Sequence, residues 1–187
     1  MTNLCREGLD SASRKALVLV LSLEDRNKER RMDNVHIQKI IRFFQYLTQK
    51  NDIDYSNFNY GTVSEDIDEN LESLEEYGYV EEENGKYSLT QEGNECATEL
   101  SELFGKEDLR KLTFAKKQLN TLEFEELLFF MYKLIPQSIE NSIIHSRLEK
   151  KNLSLIISLF TKGVINSETA AKWLCISEKE FLGYLPK

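Results

Sequence analysis

Two residues, Asn84-Gly85, constrain this chain more than any other pair. They sit inside FNYGTVSEDIDENLESLEEYGYVEEENGKYSLTQEG, residues 58–93. Asn-Gly between alternating apolar residues favours a two-residue hairpin turn, because both positions tolerate the positive φ that such a turn requires. Tyr79 and Val80 begin the outgoing strand, and Tyr87 and Leu89 alternate inward on the return. Upstream, Thr62 with Glu65 three residues later reads as a capping box. Val63, Ile67, Leu71 and Leu74 form the apolar line of the helix it opens, and Gly78 is the stop. Downstream, Thr90 caps a further helix whose first turn is weakened by Gly93.

Two helices precede this segment. One starts near Ser11 or Ser13 and runs through Ala16 to Leu21, although its valines also suit a strand. The next, over Asp33 to about Lys50, places Val35, Ile37, Ile40, Ile41, Phe44 and Leu47 or Thr48 at three- and four-residue steps. Phe43 and Tyr46 widen that stripe, which predicts a central core helix. Between the two, EDRNKERRMD has no apolar period and reads as a loop carrying Arg26, Lys28, Arg30 and Arg31.

Helix, helix, capped helix, hairpin and helix is the order of a winged-helix domain, with Phe58 to Tyr60 as a candidate third strand beside the wing. The expected fold is therefore mainly α with a small β component (α+β). A winged helix-turn-helix domain over residues 1–105 is followed by a linker or short helix at 106–119. A helical domain covers 120–187. In it, Asn120 with Glu123 would cap the apolar run Phe124 to Ile135, and Pro136 would end it. Further helices are predicted from Ser138 through Leu148 and from Leu153 through Phe160, and Phe124 to Ile135 is either an internal core or a homodimer seam.

HIQKIIRFFQYLTQK with FNYGTVSEDIDENLESLEEYGYV and KYSLTQEG resembles the YwgA-like family of prokaryotic winged-helix proteins, distantly similar to Panacea-type antitoxin domains. The resemblance covers roughly residues 33–95 and rests on Gln38, Lys39, Tyr60 and Gly61. Many relatives carry Pro and an aromatic residue where this chain has Thr62 and Val63. The ending is similar to small helix-turn-helix antitoxin-like proteins, through Lys162-Gly163, the paired Ala170 and Ala171, and a short glutamate-bearing final helix. Ser167 and Ser177, the latter with Glu180, would cap its helices. These resemblances imply a regulatory or toxin-antitoxin role.

Charge limits which role. The chain has 24 Lys and Arg against 32 Asp and Glu, but residues 51–100 hold one base against fifteen acids. A uniformly basic, nucleic-acid-coating protein is excluded. The third helix of a winged helix commonly enters the major groove. Here it would present Glu65, Asp66, Asp68, Glu69, Glu72, Glu75 and Glu76, with no Arg or Lys for guanine contacts. The wing adds Glu81, Glu82 and Glu83 against Lys86. Duplex DNA would instead meet Arg26, Lys28, Arg30 and Arg31, with Arg110, Lys111, Lys116 and Lys117 as a second cluster. The alternative is an adaptor whose Glu65, Glu69, Glu72 and Glu76 meet a basic protein partner.

Enzymatic chemistry is not expected. His36 and His145 are far apart and outside any recognisable metal or nucleophile motif, and no cofactor is implied. The acids from Glu65 to Glu69 lack the loop pattern of a calcium-binding hand. Cys5, Cys96 and Cys175 are too scattered for a secreted disulfide framework, so a reducing cytoplasmic setting is the default. Apolar runs at 16–23 and 127–132 fall well short of the roughly 20 residues of a spanning helix, no secretory leader is evident, and no membrane partner is expected.

Overall fold

A computed structural model of the protein describes residues 8–9, 11–50, 52–139 and 141–185. The chain is mainly helical. In order it forms α1 (Ala12–Ser22), β1 (Met32–Asp33), α2 (Asn34–Thr48), β2 (Ser56–Phe58), β3 (Gly61–Val63), α3 (Glu65–Glu76), β4 (Val80–Glu83), β5 (Lys86–Leu89), α4 (Gln91–Leu103) and α5 (Lys106–Leu119). It continues with α6 (Phe124–Leu134), a 3-10 turn (Pro136–Ile139), α7 (His145–Lys150), α8 (Asn152–Thr161), α9 (Ser167–Leu174) and α10 (Glu178–Gly183). No helix among the described residues is long and apolar enough to cross a membrane.

The chain divides into two compact units, Met1–Ser56 with Val63–Thr121, and Asn57–Thr62 with Leu122–Lys187. The first is organised around α1, which packs against α2, α3, α4, α5 and β5. Its Leu17, Val18, Leu19, Val20 and Leu21 are all buried, so every side of the helix is covered. At about 1.5–3 kcal/mol for each large apolar side chain taken from water, this one helix anchors much of the core. Helix α2 is a core helix as expected, with Ile37 through Ile41 and Phe43 through Gln45 buried, and it packs mainly on α5 and also on α1, so the core is shared between α1 and α2. The valines that made α1 ambiguous are accommodated because burial outweighs their small helix-propensity deficit.

Strands β1, β5 and β4 form an antiparallel sheet in that order. Asn84 and Gly85 both have positive φ, 55° and 77°, as the two-residue turn demands, and Glu83 pairs with Lys86 across it. The third strand beside this hairpin is Met32–Asp33, not Phe58 to Tyr60. Ser56–Phe58 pairs instead with Gly61–Val63 in a separate two-stranded hairpin. That pairing also moves Thr62 and Val63 out of α3, whose N-cap is Ser64.

Sequence alone did not expose what fixes the start of α3. The buried Gln38 amide donates to Ser64 O at 2.9 Å and accepts from Ser64 N–H at 3.0 Å, tying α2 to both backbone groups of the cap. At the other end, Gly78 has φ 76° and the Tyr79 N–H returns to Leu74 O at 2.9 Å, closing the helix. Gly93 has a packing reason. A Cβ there would lie 2.0 Å from Tyr79 O, so the first turn of α4 forgoes helix propensity to let β4 start alongside it.

Residues 106–119 are a 14-residue helix belonging to the first unit, with Leu112, Ala115, Lys116 and Leu119 buried. In the second unit, α6 buries Leu127 through Tyr132 and packs on the 3-10 turn, α7 and α8. Its cap is Glu123, not Asn120, with Glu126 accepting from the Glu123 N–H at 2.8 Å. Ser138 opens no α-helix; Pro136 starts the 3-10 turn and α7 begins only at His145. Asn166 rather than Ser167 caps α9, whereas Ser177 caps α10 as expected. Trp173 stands edge-on to Phe129 and Phe130, and Phe160 to Phe181.

Cys96 is buried in α4 and disulfide-bonded, Cys175 is a free exposed thiol, and Cys5 lies outside the described residues.

Candidate functional site

The 3.6-residue period of α3 turns Ile67, Leu71 and Leu74 inward and leaves Glu65, Asp66, Glu69, Glu72, Glu75 and Glu76 exposed. None of these six has a basic partner among the described residues. The contrast with other acids is informative: Glu24, Glu29, Glu107, Asp108, Glu125, Glu126 and Glu149 each lie within 4.0 Å of a cation. Asp68 is set apart, half-buried and accepting from Asn34 Nδ2 at 2.8 Å and Gln38 Nε2 at 3.0 Å. The negative field reaches the wing. The Tyr87 hydroxyl is held above its ordinary pKa by burial first, and then by the carboxylates of Glu82, Glu75, Asp68 and Glu72.

The sequence-predicted basic residues have a different fate. The loop 24–31 is not a loose connector but is folded around Asp25, a buried carboxylate accepting from Asn27 N–H at 2.7 Å and Glu29 N–H at 3.0 Å. Its other oxygen accepts from Asn120 Nδ2 at 2.8 Å, just beyond α5. Arg26 reaches Gln118 Oε1 at 2.5 Å, and Lys116 Nζ donates to Arg30 O at 2.7 Å. The loop cluster and the C-terminal half of α5 therefore meet.

Meeting does not make them a phosphate cradle. Lys116 is fully buried and unavailable to any ligand, a correction to its reading as a surface cation. Burial pushes its ammonium down to about 7, against the opposing attraction of Asp25 and Glu29. Arg30 is paired with Glu24 at 3.1 Å, Arg31 with Glu29 at 3.5 Å, and Arg110 with Glu107 at 2.7 Å; Lys111 stands 4.0 Å from the same Glu107. Lys28 and Lys117 are exposed and outside any ion pair among the described residues.

Sequence reasoning named Arg110 and Lys117 but not the surface they share. Lys106, Leu109, Arg110, Thr113, Phe114 and Lys117 line an open hollow along the outer side of α5. Phe114, 47% exposed, continues through Phe43 to Tyr46, 44% exposed, with ring centroids 6.2 Å apart at each step. The signal was present in the spacing of Lys106, Arg110 and Lys117, but interleaved Glu107 and Asp108 obscured it.

His36 Nδ1 lies 2.9 Å from Asp33, the α2 cap, and His145 Nε2 lies 3.8 Å from Glu149 on its own helix. Among the described residues no three His, Cys, Asp or Glu side chains form a metal-holding group. Comparison with protein-family models, curated proteins and solved structures finds no match to this chain.

Proposed function

We propose that this chain is a non-enzymatic regulatory adaptor, built on a winged helix, whose third helix docks a basic protein partner. The order α1, β1, α2, α3, β4, β5 and the sheet order β1-β5-β4 support the winged-helix reading. The observation that carries the docking reading is the row Glu65, Glu69, Glu72 and Glu76, exposed on one helix and without counter-charges among the described residues. Such a row repels phosphates and offers no donor to guanine, so the helix is unsuited to the major groove. Against a basic surface it steers approach and fixes orientation.

Each exposed pair contributes only about 0.2–1 kcal/mol, so four pairs give a salt-sensitive contact rather than a permanent one. The test is titration of the full chain with a lysine- and arginine-rich helical peptide, followed by anisotropy. Neutralising Glu65, Glu69, Glu72 and Glu76 to Gln should weaken binding by about tenfold or more. Unchanged affinity would overturn the reading.

A second reading, duplex DNA held by Arg26, Lys28, Arg30, Arg31, Arg110 and Lys117, is favoured by one observation, the seating of the loop on α5. Duplex binding that falls with salt and is lost on neutralising Lys28, Arg30 and Arg31 would select it over the adaptor.

A further inference from the structure

We infer that the basic surface met by α3 is the outer side of α5 on a second copy of this chain. The inference rests on the docking reading above and names its partner. The carboxylate row of α3 runs Glu65, Glu69, Glu72, Glu76, in steps of four, three and four residues. The outer row of α5 runs Lys106, Arg110, Thr113, Lys117, in the same steps. At 1.5 Å per residue both rows are about 16 Å long. Laid antiparallel, Glu76 faces Lys106, Glu72 faces Arg110 and Glu65 faces Lys117, while Glu69 meets the neutral Thr113.

The two rows do not satisfy each other within one copy. Helix α3 packs on α1 and β4, α5 packs on α2 and α1, and the six outward carboxylates of α3 have no cation among the described residues. On the α5 side, Lys106 and Lys117 are exposed, outside any ion pair among the described residues. Arg110 holds Glu107 only in an exposed pair that exchanges readily with another carboxylate. Phe114 and the half-buried Leu109 add apolar area to the same strip, which a free helix surface gains by covering. A two-fold axis uses the contact twice, because each copy presents both rows.

The chain's net charge of -8 opposes self-association at long range. Association that strengthens as salt is lowered therefore reports local complementarity rather than net charge. Sedimentation velocity of the full chain at about 0.15 M and about 0.5 M salt, where screening shortens from about 8 Å towards 3 Å, reads this directly. We expect a monomer–dimer equilibrium at the lower salt and monomer at the higher.

Two exposed charge-reversed variants sharpen the test: Glu65→Lys with Glu72→Lys, and Arg110→Glu with Lys117→Glu. Each alone should sediment as monomer with an unchanged melting temperature. Their equimolar mixture should restore the dimer, since each then carries the row that the other needs. A wild-type chain that stays monomeric at about 100 µM, or reversed variants that still dimerise separately, would overturn the inference. If the wild type is monomeric yet still binds the basic peptide through Glu65 and Glu72, only the identity of the partner falls. If peptide binding is also absent, the docking reading falls with it.

Discussion

Replacing the buried Lys116 by methionine should stabilise the protein at neutral pH and remove a pH dependence. The Lys116 ammonium is enclosed, and burial lowers its pKa from 10.5 to about 7, even with Asp25 and Glu29 pulling the other way. The sign follows from proton counting. Between about pH 7 and 10.5 the unfolded chain keeps this proton while the folded protein releases it, so stability rises with pH across that window. Below about pH 7 both states are protonated and the full penalty of enclosing the charge remains. With about 1.4 kcal/mol per tenfold change in proton affinity, the penalty is on the order of 5 kcal/mol. Methionine removes it but leaves the Arg30 carbonyl without its 2.7 Å donor, a loss of about 1–3 kcal/mol. The net expectation at pH 6.5 is a gain of about 2–4 kcal/mol. Urea unfolding at pH 6.5, 7.5, 8.5 and 9.5 provides the measurement. Lys39 is also buried, with its pKa lowered to about 8, and contributes in the same direction. The difference between wild type and Lys116→Met isolates Lys116, and should narrow by about 2–3 kcal/mol between pH 7.5 and 9.5. Parallel pH profiles for the two proteins would refute the reasoning.

Gly93→Ala is predicted to reverse the usual benefit of alanine in a helix. Instead of a gain of about 1 kcal/mol, the Cβ placed 2.0 Å from Tyr79 O should cost about 2 kcal/mol or more in thermal or urea unfolding, and a stabilised variant would contradict the close approach. For Glu126, burial raises the pKa, but hydrogen bonds from Lys162 and Ser158 and the Glu123 N–H outweigh it and hold the carboxyl below its ordinary range. Its contribution is present above the unfolded pKa and lost as pH falls through the lower folded value. Glu126→Gln should therefore cost about 1–2 kcal/mol at neutral pH and flatten the acid transition of the second unit. Fluorescence of Trp173, packed on Phe129 and Phe130, follows that transition, and an unshifted acid midpoint would count against the assignment.

The helices were legible wherever apolar spacing and burial agreed, as in α2, α3 and α6. The hairpin was legible because Asn84-Gly85 has few other uses. Local rules failed where a distant group took over. Thr62 with Glu65 satisfies the pattern of a capping box, but pairing of β2 with β3 draws Thr62 into a strand, and Gln38, twenty-six positions before Ser64, secures the actual cap. Lys116 looked like one cation in a basic run because a sequence shows charge without showing enclosure. The outward carboxylates of α3 were predicted from periodicity alone, since a helix with three inward apolar residues must turn its remaining positions to solvent. That they have no counter-ions among the described residues required coordinates.

The excursion of Asn57–Thr62 into the second unit means that neither unit is one uninterrupted length of chain. Asn59 O accepts from Ile143 N–H at 3.1 Å, and Tyr60 stands edge-on to Phe124 at 5.6 Å. Severing the polypeptide after Thr121 would leave the downstream fragment without this borrowed hairpin tip. During synthesis, the tip must likewise wait for more than sixty further residues to emerge before it meets its neighbours. The upstream unit has to close over a gap in its own sequence, and a loop inserted between residues 57 and 62 would disturb the downstream unit rather than the one that flanks it.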